Sequence, residues 1–248
     1  MQPAARRIGM ITPSSNTVVE PMTGELLATR PDVSVHVTRL RVTSISLDPA
    51  DTRQFGLDSF TDASRLLGDA RVDVVAWNGT SGSWLGPGRD EHLCRAMERV
   101  AGAPATTSTL ALLSALRAFD VRRLGLLTPY TPDVGDAIAA HYADHGFAVR
   151  AARHLGRVTN YDFALTTAAE LEAAFDGLAA ADCDAVAVVC TNLRAAHLAA
   201  RWESRTGVLV VDSVAATLWR ALALAGDTTP ITGYGRLLAH PPTAPRQR

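Results

Sequence analysis

Short runs of consecutive apolar residues recur along the chain, at residues 7–12 (RIGMIT), 33–40 (VSVHVTRL), 72–77 (VDVVAW), 123–128 (RLGLLT), 147–153, 185–190 (AVAVVC) and 208–211 (VLVV). Between them lie Ala/Leu-rich stretches, among them 110–119, 134–145, 168–181 and 214–225, whose apolar residues fall at helical spacing. Continuous apolar strands alternating with helices predict an α/β fold. Its parallel sheet would be covered on both faces, because every crossover lays a helix on the sheet.

The pattern also repeats. IGMITPSSNTVVEP, from Ile8, resembles LGLLTPYTPDVGDA, from Leu124, so that Thr12-Pro13 falls on Thr128-Pro129. VDVVAWNGTS, from Val72, pairs with CDAVAVVCTN, from Cys183, which sets Gly79 on Cys190 and Thr80 on Thr191. GAPATTSTLALL, from Gly102, pairs with GVLVVDSVAATL, from Gly207. The pairings keep their order, as expected of two duplicated halves. They predict a first α/β lobe at 1–117 and a pseudo-repeat of it at 118–239, with the last helix free to pack on the first lobe. A Pro-rich flexible tail would occupy 240–248.

Composition narrows the function. Lys and Arg total 24 against 25 Asp and Glu, a formal net charge of -1. This balance argues against nucleic acid or an anionic membrane as partner, since both reward basic patches. No apolar run reaches the roughly 18 residues of a spanning helix, and the start, MQPAARRIGMITP, has too short an apolar stretch for a signal peptide. The expected location is the cytoplasm. Cys94, Cys183 and Cys190 are too few and too irregularly spaced for a disulfide framework or zinc knuckle. His92 and Cys94, two residues apart on a helix, point to different faces, so no metal site is expected.

In open parallel sheets, ligands bind beyond the carboxyl ends of the strands. There the chain carries Thr12-Pro13-Ser14-Ser15-Asn16, Asn78-Gly79-Thr80-Ser81-Gly82-Ser83, Thr128-Pro129-Tyr130-Thr131 and Cys190-Thr191-Asn192. These are hydroxyls, amides, a phenol and a thiol with almost no charge. With helix N–H groups they suit a small carboxylate, although any one of them could be a simple helix cap. GTSGSWLGPG lacks both the Lys-Ser/Thr of a Walker loop and the GxGxxG order of a dinucleotide site. Ser81 is not in a GxSxG elbow. Cys190, ending an apolar strand before a polar turn into a helix, is expected to have its pKa lowered by helix N–H dipoles and to exchange a proton with carbon. The alternative is a small buried hydrophobe, the role assigned to Cys94 and Cys183.

RIGMITPSSNTVVEP, WNGTSGSWLGPG, LLTPY, VVCTN and GYGRLL, in this order from about Arg7 to Leu238, resemble the aspartate/glutamate racemase superfamily. The match is to its branch of arylmalonate decarboxylases and maleate cis-trans isomerases. The resemblance implies two pseudosymmetric lobes with the active site in the cleft between them, and no cofactor. Racemases of this type carry a cysteine on each lobe, and maleate isomerases use the first-lobe cysteine as nucleophile; here Gly79 stands at that position. One glycine and one cysteine is the decarboxylase arrangement. It implies catalytic roles for Cys190, as proton donor, and Gly79, as open space at carbon. Thr80, Ser81, Tyr130 and Thr191 would bind a carboxylate, Pro13 would line the cleft and Asn78 would add a donor. Ser14, Asn16 and Asn160 instead resemble isomerase carboxylate ligands. The expected function is therefore a cofactor-independent decarboxylase of a small malonate-like diacid. The alternatives are an isomerase or racemase of a small dicarboxylate, or an inactive carboxylate-binding protein. Homo-oligomerisation stays open. Gly79→Cys is expected to create racemase activity.

Overall fold

A computed structural model describes residues 6–240; the expected tail falls beyond them except for His240. Eight strands form two four-stranded parallel sheets. The first holds β1 (Arg6–Pro13), β2 (Val33–Leu40), β3 (Val74–Trp77) and β4 (Ala105–Thr107) in the order β2-β1-β3-β4. The second holds β5 (Arg123–Thr128), β6 (Ala148–His154), β7 (Ala185–Val188) and β8 (Leu209–Asp212) in the order β6-β5-β7-β8. Every pairing is parallel. The two orders are the same once the second is renumbered from its own first strand.

The inner strands β1, β3, β5 and β7 are apolar and buried along nearly their whole length, because helices cover both faces. The edge strands β2 and β6 are largely half-buried or exposed. One strand ends earlier than its apolar run suggests. In β7 the ladder stops at Val188, so Val189 and Cys190 lie in the loop beyond it. The polar β4 (ATT) is absent from the apolar pattern and was visible only through its pairing with the VLVV run of the other half.

The last long helix, Ser213–Leu224, buries ten of its residues. It packs on helix Ser108–Ala118 and on β3 and β4, so it crosses to the first sheet. The crossing carries a matched pair of polar contacts. Ser108 Oγ donates to the Trp77 carbonyl at 3.3 Å and Ser213 Oγ to the Val188 carbonyl at 2.6 Å, while Thr217 Oγ1 reaches Ser108 Oγ at 2.7 Å. Among the described residues no helix is long and apolar enough to cross a membrane. Nor does any group of three His, Cys, Asp or Glu side chains among them come together as a metal site.

Candidate active site

The loops that follow β1, β3, β5 and β7 meet between the sheets and bond to one another. Thr80 Oγ1 lies 2.8 Å from Tyr130 Oη. Thr191 Oγ1 donates to the Asn78 carbonyl at 3.0 Å, and the Thr17 N–H donates to Asn192 Oδ1 at 3.0 Å. Each of these bonds joins one half of the chain to the other. They enclose a cavity of about 20 Å³, room for roughly one water. Its polar wall is Thr80, Ser81, Tyr130, Asn160, Cys190 and Thr191; its apolar wall is Pro13, Val42, Ile45, Phe55, Trp77, Trp84 and the bare backbone of Gly79.

Part of the apolar wall comes from the segment between β2 and helix Leu57–Asp69. That segment is tied to the second half by an antiparallel bridge from Ser44 to Thr159, and by Ile45 N–H to the Val158 carbonyl at 3.1 Å. Ile45 and Phe55 carry no polar signal, and the sequence pattern did not single them out. Two larger grooves, of about 590 and 600 Å³, lie elsewhere on the surface; the first sets Cys94 beside Thr106 and Ser114 among charged side chains, and neither includes Cys190.

Eight of the expected site residues line the cavity: Pro13, Gly79, Thr80, Ser81, Tyr130, Asn160, Cys190 and Thr191. Ser14, Asn16 and Asn78 do not. Ser14 is exposed, and its Oγ accepts from the Val42 N–H at 3.2 Å. Asn16 is buried, but both ends of its amide are used within the protein. Its Oδ1 accepts from the N–H groups of Val18 and Val19 at 2.9 Å, at the start of helix Val19–Leu26, and its Nδ2 donates to Thr191 Oγ1 at 3.2 Å. Asn78 lies beneath the loop with Nδ2 3.4 Å from the Ala76 carbonyl. On the wall itself, Asn160 Nδ2 donates to Ser15 Oγ at 2.8 Å and its carbonyl accepts from Asn192 Nδ2 at 2.6 Å.

The thiol of Cys190 is not activated in the way its position suggested. No helix begins at Cys190; a turn follows, and the next α-helix starts only at Ala199. Burial therefore dominates and pushes the thiol up to about 12, against the Tyr130 hydroxyl and the Asn192 N–H, which pull it down. The Asn192 N–H donates to Sγ at 3.3 Å, and the Cys190 N–H is anchored on Ser213 Oγ at 3.1 Å. Burial likewise raises Tyr130 well above its ordinary value. Both groups keep their protons at neutral pH. A protonated thiol and a protonated phenol face the cavity, and neither carries charge into an apolar site.

Gly79 is glycine for a steric reason. A Cβ there would fall closer than 3.0 Å to Trp77 Cζ2, Cε2 and Nε1. Trp77 is fully buried, packed edge-on against Phe60 with ring centroids 4.9 Å apart, and its Nε1 points to Ser81 Oγ at 3.4 Å. A cysteine at 79 therefore requires the indole to give way. The indole already occupies the space.

Comparison with known proteins shows the family to which this fold belongs. A family model described as arylmalonate decarboxylase matches residues 8–238. The chain is 34% identical over 242 residues to the arylmalonate decarboxylase of Bordetella bronchiseptica, covering 95% of this chain and 98% of that one. A glycine-to-cysteine, cysteine-to-serine double mutant of arylmalonate decarboxylase, solved in its liganded form, superposes with a TM-score of 0.84 at 32% identity, over 94% of this chain and 98% of the other. The Nocardia farcinica maleate cis-trans isomerase, solved as a cysteine-to-serine mutant with a covalently bound succinylcysteine intermediate, gives 0.87 at 26% identity over the same shares. The relatives are thus lyases and isomerases that share this fold. Matched across both sheets and through every loop of the cavity, the chain belongs to the arylmalonate decarboxylase family.

Proposed function

We propose that the protein is a cofactor-independent decarboxylase of a small malonate-like dicarboxylic acid, with the two sheets acting as two lobes divided near residue 117. The observation that supports this reading is the single thiol in the cavity. Cys190 stands on the second-half loop, and its repeat partner on the first-half loop is Gly79. One carboxylate of the substrate is held by the hydroxyls of Thr80, Ser81 and Tyr130 and by the Thr191 backbone. The other lies against Val42, Ile45 and Phe55, where it has no water or donor. Desolvation favours its departure as CO2, and the electron pair of the broken C–C bond passes to the α-carbon and the retained carboxylate as an enediolate. The hydroxyls stabilise that charge as it develops. The Cys190 S–H bond then breaks toward the α-carbon, and water returns a proton to the thiolate. The net reaction consumes one proton and releases CO2. Since all three cysteines are free thiols, the protein suits a reducing compartment such as the cytoplasm.

Asn160 on the wall favours a second reading, an isomerase acting on a small unsaturated dicarboxylate. Incubation with methylmalonate, phenylmalonate and maleate in D2O, followed by NMR, separates the readings. Release of CO2 with one deuterium placed stereospecifically on the α-carbon is the expected result. Fumarate from maleate would replace the decarboxylase with the isomerase. Binding of a diacid without turnover, unchanged in Cys190→Ser, would make the protein a carboxylate-binding protein.

A further inference from the structure

We infer that Trp77 is the residue that closes the cavity on the side of Gly79. It would thereby set both the size of the substituent the site accepts and the restriction of proton transfer to the Cys190 face. The inference rests on the decarboxylase reading for its catalytic part, and on geometry alone for its steric part.

The edge of the indole formed by Nε1, Cε2 and Cζ2 lies where a side chain at position 79 would begin. Trp77 also lines the cavity. A group at 79 therefore competes with the ring for one volume. The ring has no easy alternative, because Phe60 meets it edge-on, its Nε1 faces Ser81, and it is fully buried. The glycine by itself would leave the first-half face of the substrate open. With the indole edge over it, that face presents no acid, base or nucleophile. In such a site a substituent on the α-carbon has room only where Trp77 is not, so the indole limits its size.

The steric part is tested by a double-mutant cycle in urea, with no substrate present. Gly79→Ala is expected to lower the unfolding midpoint strongly in the wild-type background and less than a third as much in Trp77→Leu. Equal shifts in the two backgrounds would overturn the placement of the ring. The catalytic part is read from two further comparisons. Trp77→Leu is expected to raise kcat/KM for phenylmalonate relative to methylmalonate by at least about tenfold, since extra room in an apolar pocket is worth roughly this much. An unchanged ratio would refute the role in substrate size. In Trp77→Leu/Gly79→Cys, optically pure 2-phenylpropionate should racemise with α-deuterium uptake at least about tenfold faster than in Gly79→Cys alone, or than in the wild type if the single variant does not fold. A folded double variant that decarboxylates phenylmalonate without racemising the product, or a single variant that racemises as fast, would refute the role in facial selection. If the wild type decarboxylates none of the diacids, the decarboxylase reading fails, while the urea cycle still decides where the indole stands.

Discussion

A thiol that must hand a proton to carbon has to be protonated when the substrate arrives, and burial ensures this for Cys190 by raising it to about 12. The same burial limits its use as a resting nucleophile, because the thiolate is the reactive form. Cys190→Ser should therefore lower kcat by at least about a hundredfold, the contribution of a positioned general acid, and leave KM for methylmalonate almost unchanged. A loss confined to KM would show that the thiol only shapes the cavity. Tyr130→Phe removes the hydroxyl that meets Thr80 Oγ1 at 2.8 Å. It should cost about 10²–10³ in kcat, as the loss of one donor to a developing oxyanion does. At this scale the expected residues that line the cavity are polar ones that follow an apolar strand, as with Thr80, Ser81, Tyr130 and Cys190. The sequence reading failed where side chains of the same chemistry are used internally. Asn16 reads as a ligand, yet its amide spans a helix start and Thr191, and no spacing rule separates the two uses. Ile45 and Phe55 reach the site from a segment without periodicity.

Helix Ser108–Ala118 begins at Thr107, the last residue of β4, and this junction supports the cavity from behind. Thr107 Oγ1 accepts from the Leu110 N–H at 3.2 Å and donates to Asp90 Oδ2 at 2.5 Å. Asp90 is itself only 2% exposed and is pushed by burial to about 6, against the hydroxyls of Thr107 and Thr109. Its carboxyl fills the space beside Gly82, where a Cβ would come closer than 3.0 Å to it, so the loop carrying Thr80 and Ser81 rests on it. Thr107→Val keeps the shape and removes both bonds. Losing the cap and one of the two hydroxyls that meet a buried carboxyl should together cost on the order of 2–4 kcal/mol, read as a lower urea midpoint; no shift would mean that water replaces the hydroxyl. The elements that carry a strong apolar signal were legible. The bounds of β2 and β5 agree with their runs, whereas β4 is three residues long with two threonines. The helices Leu57–Asp69 and Pro87–Ala101 show charged faces to water, which weakens their apolar signal.

Across the whole molecule, the two halves are joined by polar contacts at the cavity and by helix Ser213–Leu224, and one acid at the start of that helix couples the assembly to pH. Asp212 Oδ1 accepts from the N–H groups of Val214 and Ala215 at 2.8 and 3.0 Å, while Oδ2 is buried with no partner among the described residues. Burial outweighs the two N–H bonds and raises the group to about 7. The native state then holds a proton that the unfolded chain has released above about pH 4. Stability from this source is complete below that pH and is lost as the pH rises toward 7, with a limit on the order of 4 kcal/mol. Asp90, raised to about 6, slopes the same way. His154, lowered by burial, slopes the opposite way, and Asp184, held at about 2 by Arg123, acts only at more acid pH. Asp212→Asn isolates one contribution, since its amide oxygen can still cap the helix and its charge no longer depends on pH. The variant should unfold at nearly the wild-type urea midpoint at pH 4 and be the more stable protein at pH 8. Parallel midpoint curves over that interval would mean that Asp212 is ionised in the folded protein, with the two N–H groups outweighing its burial.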